Sequence, residues 1–122
     1  MAIIERFEDI LGWQEARKLV VCIYTLTGAG AFPKDYALRD QIQREAVSVM
    51  TNIAEGFNCM SKTEFARFLG IARRSAVEVQ SLLYAALDLG YIDQTKFVAH
   101  YEQAKKAKAL IGGLKHSLRA RT

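Results

Sequence analysis

Apolar residues recur at steps of three and four along four successive segments of this 122-residue chain. That period puts each set on one face of an α-helix, and no stretch of strict alternation rich in β-branched residues competes with it. Trp13, Ala16, Val20, Ile23 and Tyr24 mark a first helix over about 13–27, ended by Gly28-Ala29-Gly30 and kept from continuing by Phe32-Pro33. Asp35 can cap a second, in which Leu38, Ile42, Ala46, Val49, Ile53 and Phe57 repeat and Gly56 lies at the fraying end.

Ser61-Lys62-Thr63-Glu64 has the form of a capping box and opens a third helix carrying Phe65, Phe68, Leu69, Ala72, Ala76, Val79, Leu83 and Ala86, up to Gly90. Asp93 can cap a fourth, with Phe97, Tyr101, Ala104, Ala107, Ile111, Leu114 and Leu118 along its apolar arc. Short connections between long helices force antiparallel neighbours. The expected fold is all-α, an antiparallel up-down-up-down four-helix bundle forming one domain over residues 1–122.

With 51% hydrophobic and 25% charged residues the chain has enough apolar surface to exclude disorder as its main state. No window is long and apolar enough for a membrane span, and the first residues lack a signal-peptide pattern. Cys22 and Cys59 form no metal-binding spacing and are expected to be inert, buried thiols in a reduced cytoplasm.

The net charge of +4 is unevenly placed. Residues 1–92 hold ten Lys and Arg against eleven Asp and Glu, a net −1, whereas residues 93–122 hold seven against two, a net +5. Lys105, Lys108, Lys115 and Arg119 fall within an arc of roughly 80° beside the apolar stripe of the fourth helix. A rigid row of cations suits a phosphate backbone, with Arg73 and Arg74 as further candidates. The same charges would also complement a helix C-terminus and aid solubility. No aromatic residue interleaves with these lysines, so stacking of bases is not indicated by the sequence. Gly112-Gly113 is unusual in a helix interior, and fits either a close contact or a kink.

A polar stripe runs along the second helix through Gln41, Arg44, Ser48, Asn52 and Glu55. A hairpin turning near residues 59–60 pairs positions whose numbers total about 120, bringing Arg44 towards Glu78, and Asn52 and Glu55 towards Arg67 and Glu64. Such pairs would fix register or line a subunit interface. They lack the nucleophile or ligand set of an active site. His100 is placed near the apolar arc and His116 away from it, and neither follows a Glu by three positions, so a di-iron-type centre is disfavoured. Nucleotide-binding and hydrolase motifs are absent, and no enzyme, cofactor or metal is expected.

The ordered set Trp13-Gln14-Glu15-Ala16, Ile23-Tyr24-Thr25-Leu26-Thr27, Phe32-Pro33, Tyr36-Ala37-Leu38, Gln41-Ile42, Asn52-Ile53-Ala54-Glu55-Gly56, Glu64 to Ala72, Ser75-Ala76-Val77-Glu78-Val79 and Leu89-Gly90-Tyr91-Ile92 resembles the four-helix-bundle proteins encoded in intervening sequences of bacterial 23S ribosomal RNA genes. The resemblance spans about residues 7–95, with Arg74 standing where the family usually has glycine. It implies an up-down bundle that assembles as a homopentamer and has no established catalytic activity. It also implies a structural kinship with the accessory variability protein of diversity-generating retroelements, a basic pentamer that binds reverse transcriptase and nucleic acid. The resulting expectation is a non-enzymatic, oligomeric RNA- or DNA-binding protein, with a protein-interaction scaffold, such as a reverse transcriptase partner, as the alternative.

Overall fold

The structure is a computed structural model that describes residues 3–59 and 61–120, the side chains of residues 119 and 120 excepted. Four helices account for the fold: α1 (Leu11–Thr27), α2 (Tyr36–Phe57), α3 (Lys62–Asp88) and α4 (Gln94–Ala120). Each packs against two others, α1 against α2 and α4, and α3 against α2 and α4, so the four close a ring around one core. At 27 residues each, α3 and α4 are about 40 Å long.

The caps form largely as the sequence dictates. Leu38 donates its amide to Asp35 Oδ1 (3.1 Å), Glu64 to Ser61 Oγ (3.3 Å) and Lys96 to Asp93 Oδ1 (2.8 Å). The Glu64 carboxylate, expected to reach back to the Ser61 amide, instead accepts a forked pair of bonds from Arg67. Gly90 stops α3 at φ +77°, and Tyr91 then donates its amide to the Ala86 carbonyl at 2.9 Å, closing the turn. The Tyr91 ring rests on Phe32, with ring centroids 5.3 Å apart, and its hydroxyl donates to Asp35 Oδ2 at 2.9 Å. The α1–α2 and α3–α4 connections are thereby tied together at one end.

The core of α2, α3 and α4 matches the expected apolar faces, from Ile42, Ala46, Val49 and Ile53 through Leu69, Ala72, Ala76, Val79 and Leu83 to Ala104, Ala107 and Ile111. Four expectations change. Helix α1 begins two residues early and turns a different face inward, burying Ala16, Leu19, Ile23 and Leu26 while Val20 is half-buried and Tyr24 exposed. Residues 19–24 are apolar on nearly every side, so the period alone did not fix the azimuth. A short 3-10 turn at Phe7–Asp9 also folds onto the bundle, with Ile10 buried and Phe7 edge-on to Trp13. Cys22 and Cys59 are half-buried rather than core thiols.

The fourth change is register. Ser75 Oγ donates to Ser48 Oγ at 2.8 Å, Phe57 packs edge-on against Phe65, and Gly56 faces Phe68, so facing residues total about 123 rather than 120. Gly56 is not a frayed end but a close crossing. A Cβ there would lie 2.6 Å from Phe68 Cβ, so the helices approach as they do only because position 56 carries no side chain.

Candidate nucleic-acid interface

The register shift removes the predicted charge pairs between α2 and α3. Glu78 meets Glu45, not Arg44, while exposed Arg44 donates to Gln41 within its own helix at 3.0 Å. Glu45 is held above the usual carboxylate range, chiefly by burial and by the Glu78 carboxyl alongside. Asn52 donates to the carbonyl and hydroxyl of Ser48, both at 2.9 Å, extending the Ser48–Ser75 link. Arg67 pairs with Glu64 in α3 and lies over the Phe68 ring; Glu55 is exposed. A three-residue slip moves each side chain almost one helical turn, which suffices to exchange a salt bridge for a carboxyl pair.

The predicted basic residues fare differently. Helix α4 runs antiparallel to α3, with Arg73 lying over Gly112 and Lys115 Nζ over Gly70: a Cβ at Gly112 would be 3.6 Å from Arg73 Nε, and one at Gly70 would be 3.0 Å from Lys115 Nζ. The result is a groove of about 440 Å³ lined by Arg73, Lys108, Ala109, Gly112, Lys115 and His116. Among the described residues no carboxylate lies within ion-pair distance of Arg73, Lys108 or Lys115. Lys105 is exposed on the same flank of α4. The side chain of Arg119, the fourth member of the expected row, lies outside the described residues.

Arg74 does not join the groove. One residue on from Arg73, it turns about 100° around α3 into solvent, where its bulk meets no crowding. Lys106 is also withdrawn, because it lies on the α1 side, 3.5 Å from Glu15. Glu15 is buried and accepts from Gln103 (3.1 Å) and Lys18 (3.2 Å), and these bonds with the nearby ammonium groups hold its carboxyl below the usual range. Of the two adjacent glycines, Gly112 floors the groove and Gly113 faces open space.

Gln80 carries no signal in the sequence that marks it out. It is buried, and its Nε2 has no hydrogen-bond partner among the described residues. Seven residues from Arg73, it leaves α3 in nearly the same direction, towards α4. His116 is exposed at the groove, and His100 Nδ1 lies 2.6 Å from the Lys96 carbonyl oxygen of its own helix. No group of three or more metal-ligating side chains is found among the described residues, nor a helix long and apolar enough to cross a membrane.

The fold is similar to that of a protein of unknown function from the S23 ribosomal protein family of Bacteroides thetaiotaomicron, with a TM-score of 0.81 and 20% sequence identity over 87% of this chain and 96% of that one. None of the curated proteins matches the chain. The family model described as 23S rRNA-intervening sequence protein matches residues 8–113. With nearly the whole bundle inside that match, the chain belongs to the 23S rRNA-intervening sequence protein family.

Proposed function

We propose that this protein is a non-enzymatic, oligomeric RNA- or DNA-binding protein of the reduced cytoplasm, which holds the sugar-phosphate backbone along its α3–α4 face without reading base sequence. The observation that carries the reading is the convergence of Arg73, from one helix, with Lys108 and Lys115, from the next, on a groove that no carboxylate lines among the described residues. Two packed helices fix where these cations emerge, and the affinity would come from the counterions that the phosphates release. In a ring of copies, the homopentamer that the family resemblance implies, the groove would repeat around the assembly and form a basic band.

Titration of a labelled oligonucleotide at several salt concentrations tests this. Binding should weaken steeply with salt, and Lys108→Glu with Lys115→Glu should abolish most of it and flatten the salt dependence. Absence of measurable affinity at low salt, or affinity indifferent to salt, refutes the proposal.

A second reading rests on apolar exposure. Leu11 (61%), Val21 (64%) and Tyr24 (48%) of α1 and Tyr36 (66%) at the start of α2 are exposed. They favour a protein-interaction scaffold, for instance a partner of a reverse transcriptase, in which the basic groove serves solubility. Val21→Glu would then abolish partner capture, while the lysine reversals would leave it intact.

A further inference from the structure

The α3–α4 seam continues past the basic groove to an aromatic residue that the sequence did not place there. Tyr84 follows Arg73 by eleven residues, three turns of α3, so it leaves the helix within about 20° of the same direction, roughly 16 Å further along. It is 51% exposed. One side of its ring is braced by α4, with centroids 4.7 Å from Phe97 and 5.8 Å from Tyr101. Exposed Val77 lies between it and Arg73 on α3, and Lys105 and Lys108 lie between Tyr101 and Gly112 on α4.

The order along the seam is therefore an anchored, half-exposed aromatic ring, then Lys105 and Lys108, then Arg73 over Gly112, then Lys115. The acids of these two spans point elsewhere. Glu78 meets Glu45 of α2, and Glu102 leaves α4 about 120° from Lys108.

We propose that the nucleic acid bound on this face is single-stranded, its backbone tracking the lysines and Arg73 while one base stacks on Tyr84. This rests on the nucleic-acid reading above and narrows it. A cationic track beside an aromatic platform is the arrangement that holds single strands, because an unpaired base offers its face to a ring and a base inside a duplex does not. From Tyr101 to Lys115 the seam runs 14 residues of helix, about 21 Å, which spans about six nucleotides at a stacked spacing near 3.4 Å. Tyr84 is bound on one side by Phe97 and Tyr101, so little rotational freedom remains to be lost when a base covers the other.

The test compares a labelled 20-nucleotide oligo(dT) or oligo(U) with a 20-base-pair duplex by fluorescence anisotropy, using the full chain. Wild type should favour the single strand by about tenfold or more. Tyr84→Leu, which keeps apolar cover over Phe97, should weaken single-strand binding by about tenfold without changing its salt slope. Tyr84→Phe should restore affinity, and Tyr84→Trp should lose fluorescence on strand binding. Lys108→Glu with Lys115→Glu should instead weaken both ligands and lower the single-strand salt slope by about 1.4. If the lysine variants lose binding while Tyr84→Leu does not, or if the duplex binds as well as the strand, the stacking proposal falls and the broader reading stands. If wild type binds neither ligand at low salt, both fall.

Discussion

Replacing Gly56 by alanine tests directly how α2 meets α3. The added Cβ would lie 2.6 Å from Phe68 Cβ, 3.1 Å from Phe65 Cδ1 and 3.3 Å from Phe68 Cγ. Carbon atoms pack best at about 3.5–4.0 Å, so the worst overlap is about 1 Å. It falls on an atom attached directly to the α3 backbone, which no rotamer change can move. The helices must part locally, at the roughly 1–3 kcal/mol typical of overfilled cores. Alanine's better helix propensity returns about 0.5–1 kcal/mol, leaving a net loss centred on about 1 kcal/mol and at most about 2.5 kcal/mol. Gly113 supplies the control, because a Cβ there meets nothing within 4 Å and alanine should keep the propensity gain alone. Urea titrations followed by circular dichroism, at one protein concentration because association shifts apparent stability, should move the two midpoints in opposite directions with little change in slope. A Gly56→Ala protein as stable as wild type would refute the close crossing, and a less stable Gly113→Ala protein would refute the helix-propensity argument.

Other expectations concern buried polar groups. Glu15 has its carboxyl held below the usual range by Gln103 and by the Lys18 and Lys106 ammonium groups, so its contribution is present at neutral pH and lost as acid titrates it, below about pH 4.3. Glu15→Gln should therefore flatten the acid limb of a stability–pH profile. Glu45 is shifted the opposite way, by burial and Glu78, so its ionisation destabilises the fold at neutral pH and the strain is relieved as pH falls towards the ordinary carboxylate range. Glu45→Gln should raise stability at pH 7 and leave less to gain on acidification; an unchanged profile would contradict the carboxyl pairing. Gln80→Met removes a buried amide without a partner among the described residues and should stabilise by about 1 kcal/mol in thermal or urea unfolding. A loss of that size would mean the Gln80 amide is satisfied by something else.

The helices were legible because their evidence is local. Asp35, Ser61 and Asp93 cap the segments they precede, and the apolar steps of α2, α3 and α4 became the core. What failed depended on distances between elements. The α2–α3 register slipped by three because the turn and the crossing at Gly56 set it, and no periodicity encodes either. The segment before α1 is too short to show a period, yet Phe7 and Ile10 pack on the core. Lys108 and Lys115 were visible as a row on one helix, but Arg73 and Arg74 could not be told apart until α3 was seen beside α4. Tyr84 was hidden for the same reason, since its sequence neighbours are not its neighbours across the seam.

The tie between Tyr91, Phe32 and Asp35 fastens the start of α2 to the α3–α4 turn independently of the peptide link to α1. Phe32 and Asp35 stay fastened to the α3–α4 turn whether or not the backbone is intact a few residues earlier. A chain severed at exposed Ala29 would keep its remaining three helices closed at that end, with the α1 slot between α2 and α4 still shaped by the same walls. The first helix is in that sense a detachable part. Supplied as a separate peptide carrying Ala16, Leu19, Ile23 and Leu26, it should dock back into its place, which makes residues 28–31 the natural point at which to split this protein into complementing halves.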